Sequence, residues 1–368
     1  MKITAAKQDL LDCLQKTHAL VASRSTLSIL ANALIEAIGE KVVFTTTNLQ
    51  VGIRCETGAK VSEEGASTLP ARTFFAIVKE LPAAEVTVSI DQDNVASIEC
   101  GDSFFKVLGI SKEEFPKVAE LQGDPLFSIS QGALKRMLRR TSFAVSREDP
   151  RHFLTGMYFT IKDKRLSLVG TDGRRLSRVS HAIELPEDYS AAFIVPIRAI
   201  EELEKMVGEQ EEVMVFLSGN QVGFQVGTDV LVSLLIDAKF PDYESVVPES
   251  FAAKAILERE EFAGVVRQAS LLTSEQSSSV RLQFEGQQVV ITASTPELGE
   301  ARVAMPMKYD GEPLSIGFNP GCLRDVLNCM DEDEVQLDLT DSVSPGVIRA
   351  EGDFLHLIMP MRLPEEIG

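Results

Sequence analysis

The stretch Ser67–Leu81, STLPARTFFAIVKEL, decides the fold because the chain writes it three times. Its counterparts are Phe193–Val207, FIVPIRAIEELEKMV, and Leu314–Met330, LSIGFNPGCLRDVLNCM. Each reads as a short apolar strand, a proline near the turn, and an amphipathic helix. Pro70 and Pro196 fall just before two of these helices and Pro320 opens the third, where a missing N–H costs nothing. The anchor residues Phe74, Ile200 and Leu323 lie 126 and 123 residues apart.

Outward from this unit, the neighbours repeat as well. Upstream, KVVFTTT (Lys41–Thr47), RLSLVGTD (Arg165–Asp172) and QVVITAS (Gln288–Ser294) share position and strand-like alternation. Further upstream each copy opens with a short strand, MKITA, LFSIS or AKAIL. Helices follow near 7–21, 131–143 and 258–272, with apolar residues at helical spacing such as Leu134, Met137 and Leu138. Downstream each copy closes with three strands: EVTVSID, VASIEC and FFKVLGI; EVMVFLSG, QVGFQVG and VLVSLLI; EVQLDL, GVIRAE and FLHLIMP. The copies end in EEFP, AKFPDY and IMPMRLP.

The spacing predicts three domains, 1–121, 122–248 and 249–368. Each is two half-units of about 61 residues. The fold class is α+β, with each domain two helices packed on antiparallel sheet, because one helix and a few strands cannot bury an apolar face alone.

Composition narrows the function. The 368 residues are 44% apolar and 25% charged, which excludes a disordered or fibrous chain. The N-terminus MKITAAKQDLLDCL has no signal-peptide core, and no run approaches a membrane span, so a cytoplasmic protein with no membrane partner is expected. Five cysteines, an odd number without CxxC spacing, read as reduced buried thiols. There is no GxxxxGK[ST], HExxH or GxSxG, and His18, His152, His181 and His356 lack ligand spacing. A non-catalytic chain with no metal and no cofactor is the expectation, against a dispersed hydrolase site as the rival.

Net charge is −19, from 36 basic and 55 acidic residues, which at first argues against nucleic acid. The sum hides a division. The six helix windows (7–21, 72–81, 131–143, 197–208, 258–272, 319–330) hold 13 Lys and Arg against 10 Asp and Glu, leaving a net of −22 elsewhere. The densest basic run, KRMLRR, has no acid in its helix, and its alternation with apolar residues predicts a basic side facing away from the core. Arg72, Arg136, Arg139 and Arg140 are therefore candidate phosphate contacts, of the kind that hold a backbone without reading bases. For a single helix the plainer reading is a solvated polar face.

Ring geometry sharpens this. Six helices packed side by side close a ring only ~18 Å across between axes, too tight for a duplex once ~10 Å of helix is subtracted. Twelve give ~35 Å and a hole of roughly ~25 Å, into which a duplex fits loosely. Two chains would be needed.

The chain resembles the beta subunit of bacterial DNA polymerase III, the sliding-clamp family. The motifs are SRSTLSIL (Ser23–Leu30), LPARTFF (Leu69–Phe75), TDGRRLS (Thr171–Ser177), IVP (Ile194–Pro196), FPDYESVVP (Phe240–Pro248), IGFNPGCLRDVL (Ile316–Leu327), LTDSVSP (Leu339–Pro345) and MPMRL (Met359–Leu363). TDGRRL, FPDY and MPMRL in this order and spacing are specific together. The resemblance implies a head-to-tail homodimeric ring around double-stranded DNA, helices lining the hole. It implies as partners the replicative polymerase alpha subunit, the clamp loader, and other polymerases and repair proteins carrying short clamp-binding motifs.

Three sites carry over as implications of the resemblance. The peptide groove matches Leu154, Thr171, Gly173, Arg174, Arg175, Leu176, Pro241, Val246, Asn319, Val343, Leu357, Met359, Pro360, Met361 and Arg362. Met and Leu make an adaptable apolar pocket, and arginine rims hold acidic parts of a peptide. The DNA-facing lining matches Arg24, the loop with Arg147, Arg151 and His152, and Arg198. Ring closure would join Phe105 and Val107 to Leu271 and Leu272, with Lys106 and Glu297 or Glu300 as rim charges. Arg174 stands where some relatives have histidine, Ser245 where a basic residue is common, and Cys322 where an aromatic is found. The acidic tail PEEIG would start beside the groove. Taken alone, TDGRRL reads as a tight Asp-Gly turn with solvated arginines and MPMRL as a last core strand. The alternative function is a peptide-binding scaffold that never encircles DNA.

Overall fold

The computed structural model describes residues 1–21, 27–121, 123–186, 188–274, 279–350 and 353–362. The helices are α1 (Lys7–Thr17), α2 (Ala71–Glu80), α3 (Gln131–Thr141), α4 (Ile197–Met206), α5 (Arg259–Ser270) and α6 (Pro320–Cys329). Each has an apolar stripe that is buried: Leu10 and Leu14 in α1, Phe74 and Val78 in α2, Leu134 and Leu138 in α3. Starts are set locally. The Asn319 side chain accepts from Gly321 N at 2.8 Å and Cys322 N at 3.3 Å, capping α6 with Pro320 in its first turn. Glu258 caps α5 by accepting from Glu260 N and Glu261 N.

The element order strand, helix, strands, helix, three strands runs through the chain three times. By compactness the chain forms two units: residues 1–135 with 198–235, and residues 136–197 with 236–368. The second repeat is thus divided between them. The first unit holds a five-stranded and an eight-stranded antiparallel sheet. In the latter, Val51–Gly58 of the first repeat pairs with Asp229–Leu234 of the second, a first seam between repeats. The second unit holds a nine-stranded and a four-stranded sheet. There Arg175–Ala182 pairs with Phe354–Ile358, a second seam.

The strands of one repeat are split between two sheets, where the sequence suggested one layer. α1 touches Lys2–Ala6 of the five-stranded sheet and both Lys41–Thr47 and Val51–Gly58 of the eight-stranded one. α5 likewise touches Ala253–Glu258 of the nine-stranded sheet and Gln288–Thr295 of the four-stranded one. The reason is edge satisfaction. The strand Val51–Gly58 ends one repeat's sheet, and pairing with the next repeat removes its open N–H and C=O row.

All five cysteines are free thiols, four of them buried. Among the described residues no helix is long and apolar enough to cross a membrane. Among the same residues no group of His, Cys, Asp and Glu is placed to hold a metal ion.

Candidate functional sites

The second seam gathers the expected groove residues. Leu176 and Leu357 are cross-strand partners. With Val169, Ile194, Phe240, Val347 and Leu355 they form a buried apolar floor. Leu154 is also buried, in the turn His152–Thr155. The TDGRR turn is locked by its own side chains. The Thr171 hydroxyl donates to Arg175 O at 2.6 Å and accepts from Gly173 N at 3.1 Å. Asp172 Oδ1 accepts from Arg174 N at 2.9 Å and Arg175 N at 3.1 Å. Gly173 has φ +84°, a left-handed conformation that favours glycine.

The two arginines of the turn do different things. Arg175 is engaged within the fold: it donates to Asp172 at 3.1 Å, to Asp325 at 2.5 Å and to Phe143 O at 2.7 Å, with its side chain 13% exposed. It therefore holds the turn in place, and the solvated side chain that the turn read alone suggested is not found. Arg174 is exposed, and its guanidinium pairs with no acid among the described residues. Beneath the strand lies His356, wholly buried against Phe143. Burial, then the nearby Arg175 charge, pushes its imidazole down to about 3, so it is neutral at physiological pH.

MPMRL is not a strand. The last strand ends at Ile358, and the chain then leaves the sheet, held by Met359 N to Arg174 O at 2.9 Å and Met361 N to Gly317 O at 2.8 Å. This leaves Met359 42% exposed beside the floor. Pro360 and Met361 are half-buried and Arg362 is exposed. Pro241 is exposed, as are Val246 and Val343, the last held out by a turn in which Asp341 accepts from Val343 N and Ser344 N. Asn319 serves as a helix cap, so its side-chain oxygen is committed. Sequence reasoning missed Tyr158 and Tyr243, which pack around Phe240. Together with Thr160, Lys162 and Lys239 they line a cavity of about 310 Å³. Their signal was their aromatic character next to FPDY. Burial raises the Cys322 thiol above its ordinary range.

The arginines expected to face phosphate are more engaged than their helix positions implied. Arg140 is the clearest correction. It is 9% exposed, pairs with Glu332 at 2.6 Å and lies over the Phe354 ring, so it is a core-side ion pair. Arg139 is exposed but pairs with Asp331 at 2.9 Å. Both acids come from the DEDE run after α6, about 190 residues away, which no local reading of KRMLRR detects. Arg198 donates to Ala19 O and pairs with the buried Glu202 at 3.0 Å. Arg72 donates to Val21 O at 2.8 Å. Arg151 chelates Asp149 at 3.0 Å through two nitrogens, and that guanidinium holds the Asp149 carboxyl below its ordinary range. Its Nη2 also lies 3.3 Å from the place a Gly173 Cβ would take, so Arg151 covers the groove turn. Arg136, Arg147 and His152 are exposed. Arg24 lies outside the described residues, as do Leu363 and the tail.

Two sheet edges carry the closure residues. In the first unit Ser103–Leu108 ends the five-stranded sheet, paired among the described residues only with Val95–Cys100. Phe104, Phe105 and Leu108 are exposed at 60%, 38% and 72%. Val107 is buried, so this expected contact faces the unit's own core, and Phe104 and Leu108 are the exposed neighbours that were missed. The strand is apolar on both faces, so alternation alone could not give its phase. In the second unit Gly299–Pro306 ends the four-stranded sheet. Leu271, 74% exposed, follows α5, and Thr295 Oγ1 donates to Leu272 O at 3.2 Å, which sets both leucines beside that sheet. Leu298 is exposed there, as are Glu297 and Glu300.

The whole chain matches known proteins. Residues 1–119 match the DNA polymerase III beta subunit N-terminal domain, 128–242 its central domain and 244–362 its C-terminal domain. The beta sliding clamp of Chlamydia muridarum is 36% identical over 366 residues, covering 100% of both chains. That of Pseudomonas putida is 32% identical over 368 residues, covering 99% of this chain and 100% of the relative. The crystal structure of the DNA polymerase sliding clamp from Bacillus subtilis superposes with a TM-score of 0.93 at 28% identity over 99% of this chain and 100% of that one. A Pseudomonas aeruginosa clamp crystallised with griselimycin gives 0.93 at 32% identity, with the same coverage. With all three of its domains matched in order and both sheets' seams in place, the chain belongs to the DNA polymerase III beta-subunit family, the beta sliding clamps.

Proposed function

We propose that two copies of this chain, each of three domains (1–121, 122–248 and 249–368), close head to tail around duplex DNA and tether the replicative polymerase. The chain is a non-catalytic DNA sliding clamp of DNA polymerase III, and its partners are DNA, the polymerase and itself. Beyond these, the clamp loader, other polymerases and repair proteins are the proposed occupants of the groove over Leu176 and Leu357, and the cytoplasm is the proposed compartment.

The carrying observation is the pair of open sheet edges. The Ser103–Leu108 edge exposes Phe104, Phe105 and Leu108. The Gly299–Pro306 edge has Leu271 and Leu298 beside it. Edge-to-edge pairing would satisfy both backbones and bury both apolar sets. Lys106 on one edge and Glu297 and Glu300 at the other supply opposite rim charges. The exposed Arg136, Arg147 and His152 support weak, sequence-independent phosphate contact, which suits a ring that slides. The test is topological. Loaded with purified loader and ATP, the protein should stay on nicked circular DNA and be lost when that circle is cut. Equal loss from intact circles would favour the scaffold that never encircles DNA.

A further inference from the structure

The two seams are built on one plan but finished differently. Register pairs place Gly52, Val232 and Gly223 in a row across three strands of the first seam. The same row in the second seam is Leu176, Leu357 and Val347. Each glycine therefore stands where the other seam carries a branched side chain. Each seam is also crossed by a connector beginning Phe-Pro, at Phe115 and at Phe240.

In the first seam the connector fills the gaps the glycines leave. A Cβ on Gly52 would overlap Val118 Cγ1, and one on Gly223 would overlap Leu121 Cδ2. Phe115 anchors the near end in a cluster with Ile29 and Leu30. The spacing fits: three extended residues reach ~10 Å, and two inter-strand steps also come to ~10 Å. In the second seam the sockets are already filled from below. There Phe240 is buried with Tyr158 stacked on it at 4.3 Å, and Val246, which corresponds to Leu121, is 47% exposed. A cavity of about 930 Å³ runs along the first connector, lined by Leu34, Glu36, Arg54 and Val230 among others.

We propose that residues 115–121 are a built-in peptide ligand, keyed into the first seam by Gly52 and Gly223. The first seam is thereby an acceptor for an extended segment with two aliphatic residues three apart, held shut in cis. The contrast with an open second seam rests on the groove reading above; the occupancy of the first seam does not.

The test uses the full-length protein and the synthetic heptapeptide FPKVAEL as probe. In the variant Val118→Gly with Leu121→Gly, methyl NMR signals of Val230 and Val232 should shift saturably at millimolar peptide. The unaltered chain should respond at least tenfold more weakly. Adding Gly52→Leu and Gly223→Val should abolish the response. Absence of a saturable shift in the emptied variant, or an undiminished one with the sockets filled, overturns the proposal. Should the emptied variant fail to fold, Gly52→Leu in the otherwise unaltered chain should push Val118 out of its socket and abolish the nuclear Overhauser contacts of its methyls with Val232; retained contacts overturn it. Leu176 and Leu357 methyls, followed with a clamp-binding motif peptide, report the second seam separately, so failure there is distinguishable.

Discussion

The strand Ser103–Leu108 and the groove over the buried floor of Leu176 and Leu357 both bring apolar side chains to the surface, Phe104 in one and Met359 in the other, yet they leave different groups unsatisfied. The first is a sheet edge: one backbone row is unpaired and Phe104, Phe105 and Leu108 stand exposed. The second is the middle of a sheet, where Arg175–Ala182 is paired on both sides and only side chains such as Met359 are on offer. An open edge asks for another strand and, once paired, gains backbone bonds as well as burial. A closed floor offers pockets that can be filled and vacated. The same chain thus carries one surface suited to a lasting joint and another suited to partners that exchange.

The largest expected effect tests the edge. Phe105→Ala with Leu271→Ala removes two anchors worth about 2 kcal/mol each, which weakens each of the ring's two joints about a thousandfold and the dimer correspondingly more. Sedimentation velocity across a dilution series should show monomer where the unaltered chain is dimer. An unchanged dimer would remove the edge from the closure.

The groove's rigidity is tested from beneath. Arg175→Lys cannot keep the contacts to Asp172, Asp325 and Phe143 O together, and a loss of about 2 kcal/mol of stability is expected in denaturant melts. His356 sets the acid limit. Its folded pKa lies below its unfolded one, at about 3 against 6.5, so the unfolded chain takes up the proton first. Stability is therefore full above pH 6.5 and falls as pH drops toward 3, by about 1.4 kcal/mol per unit from this group. His356→Phe should flatten that acid slope, read as melting temperature against pH. An unaltered slope would mean that other groups govern the acid limit.

How much of this was legible follows from how local each feature is. The three repeats and six helices were, because proline placement and apolar period are written within a dozen residues. The seams were not, since pairing Arg54 with Val230 depends on strands far apart in sequence. Arg140 misled for the same reason: its helix shows no acid, and its partner Glu332 comes from another repeat. Gly52 and Gly223 did leave a signal. Glycine inside a strand pattern marks a close approach by something else, here the connector.

A smaller effect is expected on the floor itself. Met359→Ala takes an exposed, adaptable side chain from the groove without touching the core, so binding of a clamp-motif peptide should weaken about tenfold, near 1.4 kcal/mol. Calorimetry reads this directly, and the melting temperature should not move. A large fall in stability would make Met359 part of the scaffold and blur the contrast with the edge.

The smallest effect applies the same distinction, satisfied against unsatisfied, to charge. Arg136 and Arg140 stand one helical turn apart on α3, but Arg140 is held by Glu332 while Arg136 is exposed. Arg136→Ala should leave stability unchanged, weaken DNA contact a few-fold and lower the salt slope of binding by about one. Arg140→Ala should do the reverse, losing stability because the half-buried Glu332 is left without its cation and Phe354 without the guanidinium over its ring. Salt titrations of the two variants on short duplex DNA, beside their melts, separate the roles. If Arg140→Ala changed the slope while the melt stayed put, the ion pair would be incidental, and the basic face of α3 would be a single phosphate-facing surface after all.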